Sequence, residues 1–431
     1  MTLRIVVLGG GIAGLMAASA AKRACVDSEV TIFDDEPLAY KRPALTSIIM
    51  GVIRSPREIS IFPPSYLSSL GIKIRNGVRA IEMDAKDNLV KYCDSRGLTK
   101  TVSYDRLILA TGGYAVKPML KGADKPGVFT LRTFQDALNI SEWAKKASSA
   151  TVVGAGFVGL LAAEALVKRG LKVNLIARSR LLRVSLEADL ARLVQSNLER
   201  YGVKVFTGTS IEEIGGNDQV KWVETSAGKI HSDLVLFAIG VKPRVELAEA
   251  AGIEIEGSGI AVNERMQTSI ENVYAAGDCI DVMDAITKRK TYLPIGSLAA
   301  AEGQIAGSNS AGETIESEGF LRAQDEEIFH LHIVSIGCTT ERAVEANLRA
   351  EVLNATLPSS RLLGRFEGPQ VKLVVNAKDD LIGAQMIASK DDLYANSYSL
   401  RLLNFVKERR NLSEVLENLK MPTEPFPSLL S

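Results

Sequence analysis

One glycine pattern, present twice, constrains this chain more than any other feature. Gly9-Gly10-Gly11-Ile12-Ala13-Gly14 opens the sequence, and Gly154-Ala155-Gly156-Phe157-Val158-Gly159 repeats it 145 residues later. Each copy follows a short apolar run, Ile5 to Leu8 or Thr151 to Val153, and opens an alanine- and leucine-rich stretch with helical spacing. Strand, GxGxxG, helix is a dinucleotide-binding pattern. Its glycines permit a sharp turn, a close pyrophosphate and tight helix–strand packing, while the helix N-terminus faces the phosphates. One copy is a weak signal. Two in full context imply two dinucleotides on one polypeptide.

With 431 residues the chain exceeds one ordinary core, so two or three domains are expected. Lys plus Arg and Asp plus Glu both total 51, a balance that points to neither nucleic acid nor an anionic membrane. Cys25, Cys93, Cys279 and Cys338 are far apart and form no CxxC pair, which suggests neither a disulfide framework nor a zinc site. A reducing, cytoplasmic setting is expected. The glycines break the apolar N-terminus, so it reads as strand-turn-helix rather than as a secretory signal. No apolar run is long enough to span a bilayer.

The first unit reads strand (Arg4 to Leu8), helix (Ile12 to about Ala24), strand (Glu29 to Asp34). The second reads strand (Thr151 to Val153), helix (Phe157 to Arg169), strand (Lys172 to Ala177). Such alternation builds a doubly wound parallel sheet. Leu107 to Gly113, Leu234 to Gly240 and Val273 to Asp278 are further strands that end in glycine turns or an acid. Ser308 to Gly319 reads as a linker. Beyond Phe320 shorter strands appear, including a hairpin from Val371 to Asn376 and Leu381 to Ala388. A helix from about Ser399 to Arg409 and a proline-rich tail, Met421 to Pro427, follow.

Taken together, these residues resemble the FAD-dependent pyridine nucleotide-disulfide oxidoreductases. The nearest branches are the NADH oxidases, coenzyme A-disulfide reductases and rubredoxin or ferredoxin reductases. The resemblance rests on both fingerprints, Leu109-Ala110-Thr111-Gly112, Ala276-Gly277-Asp278 and the Pro294-Ile295-Gly296-Ser297 helix start. It implies an α/β fold with two Rossmann-like domains. Residues 1–113 and 240–318 would form the FAD domain, split by an NAD(P) domain at 114–239. Residues 319–431 would form an α+β dimerisation domain, which implies a homodimer.

Asp34, 20 residues beyond Gly14, is placed to accept hydrogen bonds from an adenosine ribose. By the resemblance that ribose belongs to FAD, and Gly9, Gly11, Gly14, Asp34, Arg42, Pro43, Ala110, Thr111, Gly112, Asp278, Gly296 and Ser297 would surround the flavin nucleotide. Gly154, Gly156 and Gly159 would take the pyridine nucleotide. Ala177 stands where a second ribose acid would stand, and Arg178-Ser179-Arg180 follows. With no carboxylate to repel a 2′-phosphate and two guanidinium groups to bind one, NADPH is expected to be preferred, with NADH accepted.

Disulfide-reducing members of the family carry a redox cysteine after the first ribose acid. Here Pro43 occupies that position, and no cysteine lies between Ala39 and Thr46. No side chain is therefore assigned as a catalytic nucleophile. Arg42-Pro43 resembles the ferredoxin and rubredoxin reductases, although Thr46-Ser47 lacks their following lysine. The expected activity is hydride transfer from NAD(P)H to flavin and onward to oxygen or a small electron-transfer protein. The rival readings are a coenzyme A-disulfide or polysulfide reductase and a slow-turnover redox sensor. Lys22 and Arg23 lie where coenzyme A-binding relatives carry basic residues, and read more simply as helix C-terminal charges. His330 and His332 share one face of a predicted strand and read as surface or interface residues.

Overall fold

The computed structural model describes residues 2–36, 40–360 and 368–419. The tail from Met421 to Pro427, which the resemblance sets over a partner's active site, lies outside the described residues. The chain divides into two compact units. One comprises Met1–Val116, Arg132–Phe134 and Gly240–Phe320; the other comprises Lys117–Leu131, Gln135–Ile239 and Leu321–Ser431.

At the heart of the first unit is a five-stranded parallel sheet. Its order is Val273–Ala275, Arg106–Leu109, Arg4–Leu8, Glu29–Asp34 and Lys73–Asn76. The Ile5-Val6-Val7-Leu8 run is apolar without alternation because both faces of its central strand are covered, as parallel sheets require. Leu8 pairs with Phe33 on one side and Leu109 on the other. The register therefore delivers the first glycine loop, Asp34 and Ala110 to one end of the sheet.

The Ile12–Ala24 helix follows. Its alanines let a second helix, Gly296–Ser310, lie unusually close. A Cβ on Gly303 or Gly307, one turn apart, would overlap the backbone of Ala13 or Ala17. A three-stranded antiparallel sheet, Val78–Asp84, Leu89–Asp94 and Thr99–Ser103, completes this unit's main layers.

The second unit repeats the parallel design. Its five-stranded sheet runs Lys204–Phe206, Lys172–Ile176, Ser149–Val153, Leu234–Phe237 and Val128–Thr130. Phe157–Lys168 is the fingerprint helix. The same unit holds a five-stranded antiparallel sheet, in the order Ala323–Ile328, Leu331–Gly337, Leu381–Ser389, Gln370–Asn376, Ala350–Thr356. The expected hairpin is its Gln370–Asn376 and Leu381–Ser389 pair. The fold is thus α/β with two Rossmann-like sheets and a C-terminal α+β portion.

Three local readings change. The helix expected from Ser399 spans Ala395–Lys407, because Asp392 starts it early: its carboxylate accepts from Tyr394 N at 3.0 Å and its carbonyl from Ala395 N at 3.1 Å. The linker begins later, since the Gly296–Ser310 helix continues to Ser310. Asn309 then pins the exit, donating to Arg265 O at 2.9 Å and Ile315 O at 2.8 Å. His330 is not on the strand: it has φ 63° in the preceding turn. His332 is buried rather than at the surface, with Nε2 2.5 Å from Asp325 Oδ1.

Candidate dinucleotide sites

The three fingerprint glycines of the first unit do different work. Gly9 has φ +111°, and a Cβ there would overlap the Ala110 carbonyl oxygen. A Cβ on Gly14 would overlap the Gly9 carbonyl oxygen. Around a Cβ on Gly11 nothing lies within 4 Å. Gly9 and Gly14 therefore serve packing, while Gly11 keeps a space clear. Gly11 is also the N-cap of its helix and supplies no side-chain cap, so first-turn amides remain available to an anion.

The second fingerprint reproduces this division. Gly154 has φ +112°, with the Ala238 carbonyl oxygen in the way of a Cβ. Gly159 packs on the Gly154 oxygen, and Gly156 faces open space. Gly156 is likewise an N-cap without a side-chain cap. Two dissimilar sequences thus build the same cradle.

Asp34 ends its strand beside the first loop, where a Cβ on Gly10 would overlap its carboxylate. Burial raises its pKa to about 6, assisted by the charges of Glu36 and Asp35. The Glu36 amide reaches Oδ1 only at 3.4 Å. This crowded carboxylate, which also takes a bond from the Gly10 amide, keeps lone pairs for a pair of hydroxyls, and in this respect the residues present fit a ribose.

Arg42 lies in a 3-10 turn, Arg42–Ala44. Its Nη1 donates to Arg132 O at 2.6 Å, its Nη2 is 3.8 Å from Glu36 Oε1, and its guanidinium lies over the Tyr40 ring. Arg132 donates from Nε to Gly113 O at 3.1 Å and from Nη2 to the Asp278 carboxylate. Thr111 Oγ1 donates to Arg244 O at 2.9 Å. Gly112, with φ +68°, turns the chain past Arg132. Arg42, Ala110, Thr111, Gly112 and Asp278 are therefore brought together at the end of one sheet. Pro43 is exposed, as are Gly296 and Ser297, the first residues of their helix.

Two residues of this site escaped the sequence reading. Arg132 lies within the segment expected to form the other domain, yet it belongs to the first unit. Glu302 is 2% exposed, and its Oε2 accepts from Gly277 N at 2.8 Å. Burial pushes its carboxyl up to about 8, with the Asp278 charge adding to the effect. No GxGxxG-type pattern marks either residue.

In the second unit, Arg178 and Ser179 are exposed just beyond the Lys172–Ile176 strand. Arg180 is engaged elsewhere: Nη1 donates to Leu186 O at 2.8 Å and Nη2 to Glu341 Oε2 at 2.9 Å. Lys22 in the first unit is similarly occupied, donating to Val26 O and Ser28 O, both at 2.6 Å, just beyond its helix. Cys279 and Cys338 are buried, and burial raises the Cys279 thiol to about 11. Among the described residues no group of His, Cys, Asp and Glu could hold a metal ion.

Residues 3–303 match the model of the pyridine nucleotide-disulphide oxidoreductases. The chain belongs to that family. It is an oxidoreductase with FAD and NAD(P)H as cofactors. A Methanocaldococcus jannaschii NADH oxidase is 34% identical to it over 397 residues, covering 90% of this chain and 88% of that protein. Among solved structures, an NAD-dependent persulfide reductase from A. fulgidus superposes with a TM-score of 0.91 at 30% identity, covering 98% of this chain and 80% of that one. An engineered water-forming NADPH oxidase derived from a Lactobacillus brevis NADH oxidase, bound to NADPH, shares the fold with a TM-score of 0.88. Its identity is 24%, with 98% of this chain and 94% of that one covered. No described helix is long and apolar enough to cross a membrane.

Proposed function

We propose that this family member prefers NADPH and passes electrons to oxygen or a small electron carrier without a redox cysteine. The observation that carries the reading is the segment after Asp34. It sets Arg42 beside Arg132 and Asp278, and it contains no cysteine as far as Ser47. When bound, FAD would supply the redox chemistry, taking two electrons as hydride from NADPH and passing them on together to oxygen or singly to a carrier, with the proton released to solvent.

The chain's own residues bind and orient. Gly11 and its helix N-terminus receive the FAD pyrophosphate, and Asp34 holds the adenosine ribose. Arg42, Arg132 and Asp278 place charge beside the phosphates and ribityl chain. Gly296 and Ser297 turn a helix N-terminus toward the flavin ring. Gly156 receives the NADPH pyrophosphate. In this scheme residues 1–113 and 240–318, joined by Arg132–Phe134, form the FAD domain, the rest of 114–239 the NAD(P) domain and 319–431 a dimerisation domain. The working form is a cytoplasmic homodimer.

Arg178 supports the NADPH preference: it is exposed next to Ala177, where no acid repels a 2′-phosphate. The engineered NADPH oxidase carries alanine, arginine and serine at three adjacent substituted positions, the run found here at Ala177-Arg178-Ser179. Arg180, tied to Glu341, is the secondary phosphate ligand.

The persulfide reductase's name favours a second reading, a reductase of sulfur species or coenzyme A disulfide. Anaerobic reduction by NADPH, then mixing with oxygen, rubredoxin, polysulfide and coenzyme A disulfide in turn, separates the two. Fast reoxidation by oxygen or rubredoxin, retained after alkylation of the accessible thiols, is the expected result. Fast reoxidation by polysulfide or the disulfide alone sinks the proposal. A reduced form that outlives all four acceptors points to a redox sensor instead.

A further inference from the structure

Three arginines follow the second fingerprint strand within six positions, and they are not equivalent. Arg178 is exposed. Arg180 and Arg183 converge on a single carboxylate: Arg180 Nη2 lies 2.9 Å from Glu341 Oε2, and Arg183 Nη1 pairs with Oε1. Glu345 adds a second acid 3.9 Å from Arg183.

The surroundings fix Glu341 in place. It occupies the first turn of the Thr340–Glu345 helix, whose Thr339 side chain caps by accepting from Arg342 N. Glu187, just past the arginine segment, accepts from Thr340 N at 2.7 Å and from Thr340 Oγ1 at 2.9 Å. The segment bearing the arginines is therefore fastened to the helix start that presents the acid.

We propose that Glu341 tunes coenzyme choice by competing with the adenosine 2′-phosphate for Arg180 and Arg183. This rests on the reading that the segment after Ala177 receives that phosphate. A guanidinium fork engaged by a carboxylate must let go, at least in part, before it can grip a phosphate with good geometry. The Arg180, Arg183 and Glu341 side chains are 26%, 44% and 41% exposed, so the existing pairs are weak enough to exchange. A 2′-phosphate brings more charge and more acceptor oxygens than the carboxylate it displaces. NADH brings none and leaves the pairs intact. Glu341 therefore acts against NADPH alone.

The test uses the FAD-loaded enzyme and Glu341→Gln, which keeps the shape and removes the charge. The NADPH KM should fall roughly two- to fivefold, the range that an exposed ion pair spans, with kcat and the NADH KM little changed. Adenosine 2′,5′-bisphosphate, measured as a competitor against adenosine 5′-monophosphate, should gain by the same factor without reference to turnover. Adding Arg180→Ala and Arg183→Ala should abolish the gain. Glu341→Ala is the second variant; damage to the fold would weaken both coenzymes together, whereas the proposal moves only one. Equal shifts for both competitors, or none, overturn the inference. If Arg178→Ala erases the preference for the bisphosphate while Glu341→Gln changes nothing, the inference fails alone. If the unaltered enzyme binds the bisphosphate no better than the monophosphate, the underlying reading fails with it.

Discussion

Arg132 and Asp278, 146 residues apart, form an ion pair whose side chains are only 13% and 12% exposed. Arg132 is thereby tied to the acid that the resemblance assigns to the flavin nucleotide. Its own placement depends on Gly113 O and on the Arg42 contact. Removing one member of such a pair leaves the other charge partly desolvated.

Arg132→Met should therefore destabilise the protein by about 3 kcal/mol, the lower end expected for breaking a buried pair. Adding Asp278→Leu should recover part of that loss, because no orphan charge remains. Urea unfolding of the two single variants and the double variant gives the coupling. FAD content should fall in all three. Additive losses would show that the pair does not act as a unit.

The glycines separate folding from binding. Gly9→Ala puts a methyl group into the Ala110 carbonyl at φ +111°, so the sheet end must distort and soluble protein should be scarce. Gly11→Ala meets nothing within 4 Å, so that variant should fold normally. Its methyl group would enter the space reserved for the pyrophosphate, so the purified protein should be pale. The ratio of flavin absorbance to protein, read beside a melting curve, decides. A yellow Gly11→Ala variant would remove the pyrophosphate from this loop.

Much of this was legible beforehand because the decisive signals are local. Arg4–Leu8, Ile12–Ala24 and Glu29–Asp34 follow from apolar runs and glycine spacing within a single βαβ unit. Asp34 was found by its distance from Gly14. Arg132 and Glu302 were not, because their roles arise from contacts across 146 and 25 residues with Asp278 and Gly277. Arg180 looked available because strand-end arginines usually are; only the fold brings Glu341 to it across 161 residues. Ala395 to Tyr398 gave no clear apolar period, and the Asp392 side chain starts that helix instead.

Glu302 gives a pH prediction. Its carboxyl is raised from an ordinary value near 4.5 to about 8 by burial. Between those limits the folded protein keeps a proton that the unfolded chain releases. Stability should thus fall as pH rises from 5 to 8, by up to about 1.4 kcal/mol per unit from this group. Glu302→Gln mimics the protonated acid and should flatten that part of the profile. Urea midpoints of both proteins at pH 5, 6.5 and 8 make the comparison. Parallel profiles would mean that Glu302 is ionised in the folded state.

Asp34 tests the link between binding and strain. In the ligand-free protein, burial lifts its carboxyl from 3.8 to about 6, so above pH 6 the folded state carries a charge it tolerates poorly. The cost develops as pH rises through the window from about 4 to 6. Asp34→Asn removes it, and should stabilise ligand-free protein at pH 7 by about 1–3 kcal/mol. The same change withdraws the charge from two ribose hydrogen bonds. Hydrogen bonds to a charged group contribute about 1.5–3 kcal/mol each, so FAD affinity should drop at least roughly tenfold. The variant should therefore melt later when empty and hold flavin less tightly, a combination that simple structural damage cannot produce. Flavin titration and thermal melts of the stripped protein supply both measurements. Unchanged FAD affinity would leave this carboxylate without a ribose to hold.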